Sequence, residues 1–393
     1  MSAAAPAAVR HPARSQDGVR LGVIAAVHPL TGGAAPFNTA MVAALRRRTA
    51  VELLSWRRLY PPLLHRGEDR DERSAPPRKE PADFVLDWHD PRTWRDAVDR
   101  LLRFGADAVV LPWLHPVSAP PYRWLLRHTP SMQRVVVCHN VLPHERVPGA
   151  SWLTRTTLRH ADLIVTHAPQ QPDELATLGL GATRILRAFH PRFVAADLAP
   201  VPSREAAAAE RRRLGDPGLL LLFFGAVRPY KGLDLALEAL AQVGASLDAR
   251  LVVAGRFWEG RERYDALVSR LGLRDRVEIR DRYVTNEEAA LLFSAADGAV
   301  LPYRSATQSG VAQLAFAYGK PVVATRVGGL PAAVEHRRTG LLCPPGNAFA
   351  LARALERLAA DRESLAAGVA ASTDEHSFDR YGALLIDALE GSV

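Results

Sequence analysis

Short runs of valine, isoleucine, leucine and alanine alternate with stretches of helical periodicity from Val19 to Leu389, and nothing else in the sequence limits the fold as strongly. The run Leu219-Leu220-Leu221-Leu222-Phe223-Phe224 has no polar position at all. A strand of that kind must be covered on both faces, which points to a parallel sheet between layers of helices. Strands are expected at Val19–Val27, Val51–Ser55, Ala108–Pro112, Arg134–Cys138, Leu163–Thr166 and Arg184–Arg187, then at Leu219–Phe224, Arg250–Ala254, Arg276–Ile279, Gly298–Leu301 and Pro321–Thr325. Helical patterns fall between them, among others Phe37–Arg47, Thr93–Phe104, Ser151–His160, Leu233–Val243, Arg261–Leu271, Asn286–Ala295, Gly310–Ala317 and Ala348–Leu358. Strict alternation of this kind predicts an α/β protein with doubly wound sheets.

At 393 residues the chain suits two domains better than one. Residues 1–18 are rich in Ala, Pro and Arg and read as a disordered tail without the apolar centre of a secretory signal. A first domain is expected over 19–200 and a second over 201–375, joined in the stretch Leu198–Gly218, which holds an Ala/Arg/Glu helix. Arg66–Ala82, charged and Pro-containing, reads as a mobile loop inside the first domain. No apolar run is long enough to cross a bilayer, and two cysteines, Cys138 and Cys343, give neither a disulfide framework nor a metal-ligand spacing. These features fit a cytoplasmic protein.

The formal charge of +8 comes almost wholly from arginine, because only Lys79, Lys231 and Lys320 are lysines. A lysine kept in so Arg-biased a chain is worth inspecting, since an ammonium and a guanidinium are not interchangeable at a fitted site. No nucleic-acid-binding module is present. Three segments, Leu45–Tyr60, Pro121–Arg127 and Ser151–Arg159, mix Arg with Trp and Leu. Solvated helix faces account for them better than peripheral contact with the inner face of a membrane, which stays open.

In open α/β sheets, ligands sit beyond the carboxyl ends of strands. Four loops in such positions carry unusual residues. The first, after Val27, holds Gly32 and Gly33 ahead of a helix, which lets backbone approach an anion; a tight turn explains it equally well. The second begins with His139, directly after the strand ending at Cys138, where an imidazole can hydrogen-bond a sugar or shuttle a proton, or serve only structure. The third, Gly225-Ala226-Val227-Arg228-Pro229-Tyr230-Lys231-Gly232, combines Arg228, Lys231 and glycines at a helix start, a composition suited to a diphosphate. In the fourth, Tyr303–Val311, the polar side chains of Ser305, Thr307, Gln308 and Ser309 crowd the turn ahead of Gly310 and Val311, although Ser309 alone would suffice as an N-cap.

Together these loops resemble those of family four of retaining glycosyltransferases, which have the GT-B fold. The similarity runs over nearly the whole chain and is strongest from Phe223 to Gly346, through Lys231-Gly232-Leu233-Asp234, Val253-Ala254-Gly255, Gly319-Lys320-Pro321-Val322-Val323-Ala324-Thr325, Gly328-Gly329-Leu330-Pro331 and Thr339-Gly340-Leu341-Leu342. The resemblance implies two Rossmann-like domains facing each other across a cleft, with the donor on the second. It also implies a last helix, within 376–393, that crosses back to the first domain. The family's basic pair for the donor diphosphate maps onto Lys231 and, displaced by two residues from Ala226, onto Arg228. Its sugar-contacting His maps onto His139, its glycine loop onto Gly32 and Gly33, and donor contacts fall on Gly225 and on Ser305, Thr307, Gln308, Ser309, Gly310 and Val311. Two glutamates usual in the family are replaced by Ala306 and Leu314. Lys320 falls at a variable place in its motif and reads as structural.

The expected activity is transfer of a sugar from a nucleotide-diphosphate sugar to an acceptor hydroxyl, with retention, without a metal and with no cofactor beyond the donor. Asp69-Arg70-Asp71 follows no strand and reads as solvated charge. The alternative is a non-catalytic subunit that binds a nucleotide-sugar or glycan. Epimerisation or hydrolysis would need acid and base groups, for which His139, His144, Glu145 and His190 are the candidates. Trp113, His115 and Tyr122 are expected on the acceptor side, where rings either stack on sugars or fill the core. A carbohydrate, a lipid-linked carbohydrate or a small molecule all remain open as acceptor.

Overall fold

The computed structural model describes residues 18–30, 34–59, 70, 79–143, 147–244, 247–306 and 309–391. The first sheet is formed by β1 (Leu21–Ile24), β2 (Val51–Arg58), β3 (Asp83–Asp87), β4 (Ala108–Trp113), β5 (Gln133–Cys138), β6 (Leu163–Thr166) and β7 (Arg184–Arg187). The second contains β8 (Leu219–Phe224), β9 (Ala249–Ala254), β10 (Val277–Arg280), β11 (Gly298–Leu301), β12 (Val322–Thr325) and β13 (Gly340–Cys343). Their orders, β3-β2-β1-β4-β5-β6-β7 and β10-β9-β8-β11-β12-β13, reverse direction at the first strand of each half. All pairings between these strands are parallel. Each sheet therefore has a switch point beside its first strand, where the carboxyl ends open a crevice.

Burial follows the predicted pattern. Four of the six side chains of β8 face one helical layer or the other with 1% exposure, and helices cover both sides. The strand β1 is shorter than the expected Val19–Val27, because only four of its residues pair with β2. Two strands escaped the sequence. In β3 two terminal carboxylates frame only three apolar residues, and β13 begins with a glycine. The helix expected at Ala348–Leu358 runs on to Ala371, its core face continuing through Leu365 and Val369. The helix in the join is Arg204–Arg213, started by Ser203, whose hydroxyl accepts from the Ala206 N–H.

The last helix, Phe378–Glu390, packs on the helix Ala34–Arg46 of the first half. Gly382 permits the approach: a Cβ there would sit 3.3 Å from that of Ala44. The chain thus crosses between the halves twice. The two crossings lie side by side, with the Arg192 N–H donating to the His376 carbonyl at 2.7 Å. Among the described residues no helix is long and apolar enough to cross a membrane. The segment around β2 buries Leu53, Leu54 and Trp56, and Tyr122, Leu125 and Leu126 are also buried, so of the three Arg/Trp/Leu segments only the third presents an exposed Trp152. The expected tail (1–18, save Gly18) and most of Arg66–Ala82, including Asp69 and Asp71, lie outside the described residues.

Candidate active site

A cavity of about 680 Å³ opens between the carboxyl ends of the two sheets. On the second half its wall begins at the end of β8, where Gly225 turns with φ 87°. Gly255, at the end of β9, lies against it with φ 146°, and a Cβ there would sit 2.3 Å from the Gly225 carbonyl. No other residue fits. This contact lets the segment after β8 close into a short 3₁₀ turn, Pro229–Lys231, that carries Lys231 back to the cavity. Gly232 follows with φ 69°, so close to the Pro302 carbonyl that a Cβ would stand 2.1 Å from it.

Arg304 ties the same turn to the loop after β11. Its guanidinium bonds both carboxylate oxygens of Asp234, at 2.9 and 2.6 Å, and the Pro229 carbonyl at 3.0 Å, while its backbone N–H donates to the Tyr230 carbonyl at 2.7 Å. Lys231 is thereby held with 9% exposure and, among the described residues, no carboxylate pairs with it. Burial, and secondarily the nearby Arg228, pushes its ammonium down to about 8. A buried cation without a counter-charge is a site that an anion completes. Arg228 itself does not line the cavity; its guanidinium stacks 3.9 Å above the Trp258 ring, a competing partner that the sequence did not reveal.

The helix Gly310–Ala317 points its first turn at the cavity, which Ser309, Gly310 and Val311 all line. The Ser309 hydroxyl accepts from the Ala312 N–H and lies 3.5 Å from the Tyr303 hydroxyl, so Ser309 is an N-cap and sits at the cavity wall as well. Ser305 is exposed and is not part of the wall. Thr307 and Gln308, like Gly32, Gly33, His144 and Glu145, lie outside the described residues. Lys320 donates to the Ser294 carbonyl at 2.9 Å, away from the cavity, in line with its structural reading.

Across the cleft, β5 delivers His139, whose backbone N–H bonds the Trp113 carbonyl at 3.0 Å. The side chain of Gln171 holds the turn by donating to the Cys138 and His139 carbonyls at 3.1 and 3.0 Å. The imidazole meets the edge of Phe37 at 4.6 Å, and among the described residues its buried Nε2 has no partner. Burial, then His190, pushes His139 down to about 3, and burial brings His190 to about 4. His139 is therefore neutral near pH 7. It can donate or accept one hydrogen bond, but the proton-shuttle role left open by the sequence does not fit.

Trp113 and Tyr122, expected on the acceptor side, belong to the core at 0% and 3% exposure, and the Tyr122 hydroxyl donates to the Pro112 carbonyl at 2.9 Å. His115 caps the next turn, its Nδ1 accepting from the Val117 N–H. Sequence reasoning missed His28, Tyr230 and Arg256, all of which line the cavity. Among the described residues the buried Nε2 of His28 has no partner. Arg256 directly follows Gly255 at the end of β9, so the strand-end rule that found the other loops would have found it too. Among the described residues the cavity wall contains no Asp or Glu; Leu314 fills part of it instead. Nor is any group of three His, Cys, Asp or Glu among them placed to hold a metal ion.

Known proteins share both the fold and part of this sequence. Residues 218–361 match the family of glycosyl transferases group 1. The match covers the second sheet, including Gly225, Lys231, Gly255 and the helix start at Gly310. A D-inositol 3-phosphate glycosyltransferase of Streptomyces bingchenggensis is 33% identical over 262 residues, 63% of this chain and 54% of the relative. The enzyme of the same name from Streptomyces coelicolor is 35% identical over 224 residues, 54% of this chain and 48% of the relative. The chain thus spans about half the length of these relatives. Among solved structures, sucrose-phosphate synthase from Thermosynechococcus elongatus superposes with a TM-score of 0.70 at 21% identity, covering 95% of this chain and 98% of that one. Anabaena HepE in complex with UDP-glucose gives 0.71 at 15% identity, over 95% and 100%. The fold is GT-B.

Proposed function

We propose that the chain transfers a sugar from a nucleotide-diphosphate sugar to an acceptor hydroxyl, with retention and without a metal. The observation that carries this reading is Lys231, a buried ammonium with no carboxylate partner among the described residues, at the wall of an interdomain cavity. The diphosphate would lie against Lys231, Arg256 and the first-turn N–H groups of Gly310–Ala317, where opposite charge is stabilised before the reaction begins. As the bond from the anomeric carbon to the phosphate oxygen breaks, these groups hold the charge that grows on the departing diphosphate. The acceptor oxygen approaches from the same face and forms the new bond, and its proton passes to the departing phosphate. His139, neutral and with Nε2 free, hydrogen-bonds a sugar hydroxyl from the opposite wall. Arg228 contributes through its field and the chain needs no cofactor beyond the donor.

UDP-sugars are the first donors to test, because HepE is known with UDP-glucose. The anomeric configuration of the product, read by NMR in the presence of EDTA, tests the reaction: retention with undiminished rate supports it, and inversion or dependence on added metal opposes it. One observation favours a second reading, a non-catalytic nucleotide-sugar or glycan-binding subunit: no carboxylate lines the cavity among the described residues. Tight nucleotide binding with no turnover on any acceptor would select it.

A further inference from the structure

A second chamber, of about 530 Å³, shares His190 with the donor cavity and extends beneath the two chain crossings. Its walls come from both halves of the molecule. The first half supplies Arg187 from the end of β7 and Phe189 just after it; the second supplies Gln313 and Glu335; the crossing before the last helix supplies His376. Several polar atoms here lack the hydrogen bonds that burial demands. Gln313 is only 2% exposed and its Oε1 has no hydrogen-bond partner among the described residues. Among the described residues the Glu335 Oε1 accepts no hydrogen bond and is met only by the Arg192 guanidinium in an ion pair at 3.7 Å. A buried acceptor left in this state destabilises the fold, and a ligand hydroxyl would remove that cost.

The charges decide the class of ligand. An anion would meet Glu335 and Glu375, and a cation would meet Arg187 and Arg192. A hydroxyl both donates and accepts, so it can serve Gln313 and Glu335 on one side and Arg187 on the other. Phe189 and two alanines, Ala332 and Ala333, give an apolar wall of the kind a ring of C–H groups covers. The volume falls in the range of small-ligand sites. We propose that this chamber binds an uncharged, hydroxyl-rich ligand, a saccharide unit, that bridges the two halves of the molecule beside the donor cavity. The unit is either a free saccharide or an outlying residue of a longer glycan. Gln313 is the residue that ties it to the second half.

The inference stands apart from the donor reading, because its test uses no nucleotide. Binding of glucose, galactose, mannose, cellobiose and lactose to the whole chain is measured by saturation-transfer NMR, in wild type, Gln313→Met and Lys231→Ala. At least one of the five binds wild type and Lys231→Ala alike, and Gln313→Met weakens it roughly tenfold, the worth of one buried hydrogen bond. The melting temperature of Gln313→Met stays level or rises, because the substitution removes an acceptor that no described residue satisfies; a purely structural Gln313 would lower it. Affinity gained with the second ring marks a stretch of glycan, and equal affinity for one ring marks a free saccharide. Absence of binding by all five sugars overturns the proposal, as does binding that Gln313→Met leaves unchanged or Lys231→Ala abolishes.

Discussion

Lys231 shows how a single side chain can be costly to the fold and useful to the site. It titrates near 8 in the folded chain, against an ordinary 10.5. Between those values the unfolded chain binds more protons, so the cost to stability is full below about pH 8 and fades as the pH rises toward 10.5. Lys231→Met should therefore raise the melting temperature of the unliganded protein at pH 7, an advantage that shrinks in alkaline solution. A diphosphate favours the charged ammonium, so nucleotide affinity is highest below pH 8. Above it, affinity falls because binding must take up a proton. Burial pushes the neighbouring Tyr303 hydroxyl up, so it stays protonated through this titration. His139 makes the opposite case. Held neutral, it contributes no limb to the pH profile of transfer between pH 5 and 8. His139→Ala should lower turnover by about tenfold or more through one lost hydrogen bond, leaving nucleotide affinity nearly unchanged. Equal losses in both would make the residue structural.

At the scale of elements, the site depends on how tightly the loops after β8, β9 and β11 are folded onto one another. Gly255→Ala would drive a Cβ into the Gly225 carbonyl, so it should reduce both the melting temperature and nucleotide binding. Arg304 should behave differently. Its pair with Asp234 is half-exposed and worth at most about 1 kcal/mol to stability. Arg304→Met should thus leave the melting temperature nearly fixed while weakening nucleotide binding, because the Lys231 turn loses its tie to the β11 loop. Calorimetric titration beside a thermal melt separates the two effects. Most of these elements could be read from sequence: the unbroken apolar run of β8, the strand ends at Gly225 and His139 and the helix start at Gly310 all stand out. What could not be read was contact between residues far apart in sequence within each half. Arg228 and Lys231 look like a pair in sequence, yet a tryptophan thirty residues on takes the guanidinium. Trp113 and Tyr122 look available to a ligand, yet the sheet buries both. Short or glycine-led strands such as β3 and β13 carry too few apolar residues to announce themselves.

At the scale of the molecule, the last helix decides whether the two halves act together. Its Tyr381 donates to or accepts from the His167 Nε2 at 2.9 Å and packs on Phe37, which in turn touches His139. Tyr381→Phe should cost about 1–2 kcal/mol in denaturant unfolding, and Leu385→Ala about 2–5 kcal/mol, since both side chains are buried at 1% exposure. Reduced turnover in either variant would show that the helix keeps His139 facing the donor. The central claim is that an anion completes the buried Lys231 site. It is tested most directly by thermal stabilisation with UDP, GDP, ADP and dTDP, with magnesium or EDTA, in wild type and Lys231→Ala. The account predicts a clear upward shift with at least one nucleotide, unaffected by EDTA and largely lost in the variant. No shift with any nucleotide, or a shift that survives Lys231→Ala intact, would contradict it.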